Sequence, residues 1–145
     1  MFYGEHEHTI DRKGRLIVPS KFRAAFKEYA VERLFLTRGL DGCLFLFTED
    51  EWRRQEGKFK ANSFTRGEAR KFNRLYFSGA VEAEPDRQGR ILLPKHLKEF
   101  AQIKQDVVFV GVSSYMEIWS KERWRDFFEG SRASFEEIAE HLLEG

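Results

Sequence analysis

The feature that most constrains this chain is a nine-residue motif that occurs twice. Residues 11–19 read Asp-Arg-Lys-Gly-Arg-Leu-Ile-Val-Pro, and residues 86–94 read Asp-Arg-Gln-Gly-Arg-Ile-Leu-Leu-Pro. Five of the nine positions are identical, and three more exchange one aliphatic residue for another. An internal repeat of this kind predicts two similar structural units within one chain.

The similarity continues beyond the motif, so the two units share an order of elements. After each proline we expect a short helix, a strand, a hairpin, a second strand and a longer helix, which Thr48 and Ser120 begin. A further helix is expected over residues 65–77, after a break at Asn62-Ser63. The last helix carries apolar residues at helical spacing, which predicts that it packs on the core: Phe135, Ile138, Ala139 and Leu142.

These patterns predict an α+β fold rich in β-barrel structure. The expected units span residues 5–47 and 76–119, and residues 48–75 and 120–145 form helical segments. A unit of about 45 residues is too small to bury a good core by itself. We therefore expect the two units to pair about a pseudo-two-fold axis as a single body.

Composition limits the possible classes of protein. The 145 residues contain no apolar run as long as a membrane helix and one cysteine, Cys43, and the first residues lack the pattern of a signal peptide. These features predict a cytoplasmic protein. The 15 phenylalanines are enough for a core and a subunit interface, so we also expect a homo-oligomer that does not depend on a disulfide.

The repeated motif holds the strongest candidates for function. Gly14 and Gly89 allow a sharp turn between two strands, and Arg15 or Arg90 follows at a fixed position. The net charge of the chain is only +1, but basic residues are concentrated around both motifs, more densely around the first. Those flanking residues are Arg12, Lys13, Lys21, Arg23, Arg87 and Lys98. The motif aspartates, Asp11 and Asp86, are expected to hold the turns by pairing with the arginines, whose other donors could contact phosphate or guanine.

The pattern Asp-x-x-Gly-Arg, followed by three aliphatic residues, proline and a short basic helix, resembles the SpoVT/AbrB family of DNA-binding domains. Two such units in one chain resemble the MraZ family of bacterial transcriptional regulators, and the resemblance covers nearly the whole chain. It rests on both motifs and on further segments: residues 1–2, 8–11, 36–43, 77–80 and 117–119.

The resemblance implies a swapped-hairpin barrel with a pseudo-dyad within each chain, and a ring of subunits. It implies a nucleoid-associated regulator, which we expect to be a repressor, on promoters of division and cell-wall genes. The double-stranded promoter DNA would carry short repeated boxes. The expected DNA contacts are Arg15 and Arg23, and more weakly Arg90 and Lys98, because the second copy is less basic. No cofactor, metal or small-molecule substrate is expected.

Two other classes of function make different predictions for the sequence. An AbrB-like interaction or antitoxin-type module would have a detachable, disordered C-terminal segment, whereas this tail reads as a helix. A hydrolase pairing His8 with Asp11 would repeat that histidine before Asp86, but the equivalent residue is Ala83. His6 and His8 lack a third ligand at metal-binding spacing. The sequence therefore favours a DNA-binding regulator that is not an enzyme.

Overall fold

The computed structural model describes residues 1–60 and 65–144; the expected break at Asn62-Ser63 lies outside them. The strands are β1 Glu5–Thr9, β2 Arg15–Ile17, β3 Leu34–Arg38, β4 Leu44–Thr48, β5 Val81–Ala83, β6 Arg90–Leu92, β7 Asp106–Gly111 and β8 Met116–Ser120. The α-helices are α1 Ser20–Glu28, α2 Glu49–Lys60, α3 Gly67–Ser78, α4 Lys95–Phe100, α5 Lys121–Ser131 and α6 Phe135–Glu144. The mixture of helices and antiparallel strands confirms the predicted α+β class.

Strand pairing exchanges elements between the two repeats. The larger sheet has the order β1-β7-β8-β4-β3-β5, and β2 pairs with β6 in a separate two-stranded sheet. The first strand of each repeat thus pairs with the third strand of the other: β1 pairs with β7, and β5 pairs with β3. Two further pairings, β4 with β8 and β2 with β6, also join the repeats. Among the described strands, neither sheet closes on itself through hydrogen bonds.

A single apolar core fills the space between the two sheets. Leu16 and Ile91 point inward from the small sheet and are fully buried, as are Leu36 and Phe109 from the large one. Strand β7 is buried at four successive positions, because it lies within the large sheet and both its faces are covered. The core therefore contains side chains from both repeats, and the repeats form one body.

Aromatic residues cover the other face of the large sheet. Trp52 of α2 stacks on Phe35 with ring centroids 5.4 Å apart, and Tyr76 of α3 stacks on Trp52 at 5.7 Å. In the second repeat, Trp124 of α5 contacts Trp119 edge to face at 5.3 Å instead of stacking. Both kinds of aromatic pair add to the free energy gained by burial, so they stabilise the packing of these helices on the sheet.

The last helix forms where it was expected but does not pack as expected. The predicted apolar face of α6 is largely exposed, with 72% of Phe135, 50% of Ile138 and 76% of Leu142 accessible. The expectation that this helix is fitted to the core is therefore wrong. Spacing along a helix shows which residues share a face, but it does not show what covers that face.

Candidate nucleic-acid interface

The two repeated motifs meet in the small sheet formed by β2 and β6. In this antiparallel pair, Arg15 lies opposite Leu92, and Arg90 lies opposite Ile17. Because alternate residues of a strand point to opposite faces, these four side chains share the outer face of the sheet. Two arginines related by the pseudo-dyad thus stand on one exposed two-stranded ribbon, each beside an exposed aliphatic residue.

Each motif turn is fixed by its aspartate. The Asp11 carboxylate accepts backbone N–H groups of Lys13 and Arg15 at 2.9 and 2.8 Å and the Arg15 Nε–H at 2.8 Å. Gly14 has a φ of +78°, which residues with a Cβ rarely adopt. The turn and the arginine that follows it are therefore set by one hydrogen-bond network.

The second turn repeats this network closely. The Asp86 carboxylate accepts the backbone N–H groups of Gln88 and Arg90 at 2.9 Å and the Arg90 Nε–H at 2.8 Å. Gly89 also has a φ of +78°. The backbone N–H donors are the main cause that lowers the pKa of each motif aspartate, Asp11 and Asp86, below its ordinary value. Both carboxylates are thus ionised at neutral pH, as the pairing requires.

The arginines keep donors that these turns do not use. In the described part of the chain, the side chains of Arg15 and Arg90 bond through Nε only, and their terminal nitrogens form no hydrogen bond. The two side chains remain 31% and 24% exposed. A guanidinium held in this way is pre-oriented, and its two outer nitrogens suit the paired acceptors of a phosphate or a guanine edge.

The exchange of strands places each short helix beside the turn of the other repeat. The Val18 N–H donates to the Gly89 carbonyl at 2.9 Å, and the Leu93 N–H donates to the Gly14 carbonyl at 2.8 Å. Helix α1 therefore starts next to the second turn, and α4 next to the first. A groove of about 440 Å³ between α1 and the second turn is lined in part by Arg23 and Arg87. Basic residues that are distant in sequence thus share one edge of the ribbon.

The remaining basic candidates lie around this ribbon with different accessibility. The exposed ones are Arg12, Lys13, Lys21 and Arg87, whereas Arg23 and Lys98 are half-buried. Among the described residues, Arg23 is the only one of these six whose side chain forms a hydrogen bond, from its Nε–H to the Val18 carbonyl at 2.9 Å. The four exposed side chains are free to reach an anionic backbone.

The sequence analysis missed two apolar members of this face. Ile17 and Leu92 are 42% and 59% exposed, although both belong to aliphatic runs. The alternation of side chains along a strand could have indicated their exposure. Leu16 and Ile91 point into the core, so their neighbours Ile17 and Leu92 point outward. Apolar side chains in this position can contact the methyl group of thymine.

The other candidate residues, His6, His8 and Cys43, pack against or among residues of the core. The His6 ring packs against Phe22 and the His8 ring against Phe109, and no group of three or more metal-binding side chains occurs within residues 1–60 and 65–144. Cys43 is fully buried, and burial raises the pKa of its thiol far above the ordinary value. Among the described helices, none is long and apolar enough to cross a membrane.

Comparison with known proteins identifies the family. A family model described as "MraZ protein, putative antitoxin-like" matches residues 1–75 and again residues 76–144. The chain belongs to the MraZ family. Relatives named transcriptional regulator MraZ include one from Caldanaerobacter subterraneus subsp. tengcongensis, 53% identical over 98% of this chain and 96% of its own length. Another, from Thermoanaerobacter pseudethanolicus, is 51% identical over 99% of this chain and 98% of its own length.

These comparisons confirm the resemblance to the MraZ family found in the repeated motif. Relatives in this family are named as regulators rather than enzymes, in agreement with the sequence analysis. A solved structure, the solution structure of PHS018 from Pyrococcus horikoshii, aligns with a TM-score of 0.32 and 17% identity. That alignment covers 81% of this chain and 88% of the other, and it is too weak to bear on the fold.

Proposed function

We propose that this protein is a transcriptional regulator that binds double-stranded DNA through the ribbon of β2 and β6. The observation that carries the proposal is the pair of arginines, Arg15 and Arg90, which two equivalent hydrogen-bond networks hold on one exposed face. Its relatives are named transcriptional regulators, which supports the same function. The protein acts in the cytoplasm, associated with the nucleoid.

The arginines read base edges, and the basic residues around them bind phosphate. A ribbon of two antiparallel strands fits the major groove of B-DNA. The other basic residues contribute the attraction to the DNA backbone that does not depend on sequence: Arg12, Lys13, Lys21, Arg87 and Lys98. Repeated boxes in the promoters of division and cell-wall genes are the proposed targets, and repression is the proposed outcome.

We also propose that the protein is a ring-shaped homo-oligomer in which α6 docks on the next copy. The exposed apolar face of α6 is flanked by four glutamates, and the helix contains no lysine or arginine. A matching surface lies on α3, where the 60% exposed Leu75 is accompanied by the exposed Lys71 and Arg74. Apolar contact and opposite charge both favour a second copy of this chain as the occupant. A heterologous contact of this kind closes into a ring when the rotation between subunits allows it.

Selection from randomised duplex DNA tests the DNA-binding function. The purified protein should enrich a short box, and affinity should rise when a duplex carries two or three boxes instead of one, because the subunits of a ring bind together. Failure to enrich any sequence would contradict the proposal, and affinity independent of the number of boxes would contradict the ring.

Replacement of Arg15 tests the assignment of the reading residues. Arg15→Ala should cost about 1–3 kcal/mol per contacted box and reduce discrimination between the selected duplex and random DNA. Lys13→Ala is the matched control, because it should weaken both duplexes alike and lower the salt slope by about one. A folded Arg15→Ala variant that binds the selected box like the parent would refute the assignment.

An antitoxin-like interaction module is the second candidate function. The description of the family model and the exposed apolar face of α6 both favour it. It predicts that α6 is occupied by a different protein and that the purified chain is monomeric. Light scattering on the purified protein therefore separates the two occupants of α6, and the selection from randomised DNA separates the two functions.

A further inference from the structure

The two halves of the candidate interface are equivalent in backbone but not in side chains. At both motif turns, a backbone N–H from the other repeat binds the glycine carbonyl, at 2.9 Å for Gly89 and 2.8 Å for Gly14. Both glycines have the same φ of +78°. A difference between the two turns must therefore come from the side chains placed around them.

The side chain of Arg23 lies directly across the second turn. A Cβ added at Gly89 would be 2.4 Å from Arg23 Cδ and 2.8 Å from its Nε. The same Nε–H donates to the Val18 carbonyl at 2.9 Å, and the Val18 N–H donates to Gly89. Arg23 therefore holds a defined position in which its stem covers Gly89 and its Nε bonds to Val18, the residue whose N–H joins the two repeats.

Among the described residues, no side chain covers the first turn in this way. Lys98 is the residue of the second repeat equivalent to Arg23, but the described atoms that a Cβ at Gly14 would meet are the Leu93 carbonyl oxygen at 3.4 Å and Leu92 Cδ1 at 3.7 Å. These are ordinary contacts. Gly89 is accordingly buried, whereas Gly14 is half-exposed. Arg23 is thus a side chain at which the pseudo-symmetry of the two turns is broken.

We propose that Arg23 is a positioning residue that fixes the Asp86–Arg90 turn for DNA recognition, so that reading by Arg90 depends on a helix of the other repeat. This inference rests on the proposed DNA-binding function and refines the role of Arg23 within it. The first turn places Arg15 through Asp11 without help from Lys98. Each chain therefore presents one turn that a side chain of the other repeat holds in place and one turn without such a contact among the described residues. The interface is thus asymmetric and has a defined orientation along the DNA.

The test measures energetic coupling between Arg23 and Arg90 on DNA. The probe is the duplex that the parent protein selects from a randomised library, with a random-sequence duplex as reference. Arg23→Ala should lower affinity for the selected duplex about tenfold, with a much smaller loss on the reference. In the Arg23→Ala background, Arg90→Ala should cost far less than in the parent, because the turn that places Arg90 is no longer held. Lys98→Ala and Arg15→Ala are the matched pair, and their effects should be additive.

Two further variants separate positioning from phosphate contact and from misfolding. Arg23→Lys keeps the charge but lacks the Nε–H and the planar group, so it should retain affinity for the reference duplex and lose discrimination. Gly89→Ala should lower thermal stability more than Gly14→Ala, and the excess should shrink when Arg23→Ala is also present. This comparison needs no DNA. Gly14 and Gly89 have the same left-handed conformation, so alanine has the same backbone strain at either position and the difference in stability reports the contact with Arg23.

The outcomes distinguish this inference from the proposed function. If Arg23→Ala weakens both duplexes equally, lowers the salt slope by about one and adds to Arg90→Ala, Arg23 is only a phosphate contact and the inference fails. Equal losses of stability in Gly14→Ala and Gly89→Ala would also overturn it. If the parent protein selects no duplex, the proposed function fails and the inference fails with it.

Discussion

At the scale of single residues, the repeat includes backbone conformations that its side chains do not favour. Ala30 and Gln102 follow the short helices of the two repeats and have φ values of +53° and +54°. A left-handed conformation places Cβ too close to the following carbonyl, which costs about 1–2 kcal/mol for an L-residue. Both repeats therefore bear the same local strain, at the point where each helix turns towards the large sheet.

Ala30→Gly should raise the free energy of unfolding by about 0.5–1 kcal/mol, because the relief of strain exceeds the entropy that glycine loses on folding. Ala24→Gly is the control, since the exposed Ala24 lies within α1, where glycine should cost about 1 kcal/mol. Urea unfolding followed by circular dichroism measures both changes. A loss of stability in Ala30→Gly similar to that in Ala24→Gly would show that the left-handed conformation carries no strain.

His8 gives the fold a dependence on pH. Burial lowers the pKa of His8 below its ordinary value of 6.5, and the neighbouring charges of His6 and Arg23 lower it further. The unfolded chain therefore binds the proton more readily than the folded one, so stability falls as the pH falls below about 6.5. His8→Gln should lessen the loss of unfolding free energy between about pH 7.5 and about pH 5.5. An unchanged pH profile in that variant would assign the effect to other groups.

At the scale of elements, a helix can form with the amphipathic pattern that its sequence predicts and still leave its apolar face exposed. In the first repeat, α3 uses Phe72 and Tyr76 to pack on the aromatic cluster around Trp52. In the second repeat, α6 exposes the apolar face that its sequence predicts, with Leu142 76% accessible. An exposed apolar face on a short helix favours contact with another molecule.

Leu142→Glu should break the proposed oligomer while leaving the fold of each subunit intact, because the side chain is exposed in the single chain. Leu75→Glu on the proposed acceptor surface should have the same effect. Leu40→Glu is the control, since the 59% exposed Leu40 lies at the tip of the β3–β4 hairpin and belongs to neither helix. Light scattering under reducing conditions gives the mass of each variant. A parent protein that is monomeric at micromolar concentration, or a Leu142→Glu variant of unchanged mass, would contradict the proposal.

At the scale of the whole molecule, the exchange of strands makes each repeat dependent on the other. The pairings β1–β7, β3–β5, β4–β8 and β2–β6 all join the two repeats, whereas the hairpins β3–β4 and β7–β8 lie within one repeat. An isolated hairpin is only marginally stable in water. The core, which draws on both repeats, therefore forms as a unit.

Fragments 1–75 and 76–145 should each lack cooperative unfolding as monomers, because every strand in them has lost at least one of its partners. Mixing the two should restore a cooperative transition and a near-native circular dichroism spectrum. Size-exclusion chromatography should then recover a complex with equal amounts of both fragments. A monomeric fragment 1–75 that unfolds cooperatively by itself would contradict this dependence.

The sequence by itself determined the repeat, the order of elements, the α+β class and the residues of the motif turns. These features are local: the two copies of the motif, the alternation around Leu16 and Ile91, and the helical spacing in α1 can all be read from neighbouring positions. The family resemblance also implied the exchange of hairpins. The motif by itself thus identifies Asp11, Gly14, Arg15 and their counterparts as the residues of the two turns.

Only the tertiary structure decided which residues stand together and which faces remain open. Sequence position grouped Arg23 with Arg12 and Lys13, but strand exchange places it over Gly89 of the other repeat. Helical spacing assigned the apolar face of α6 to the core, but the chain leaves it exposed. Both differences have one physical reason: periodicity reports the direction of a side chain relative to its own element, whereas contacts depend on how distant elements pack.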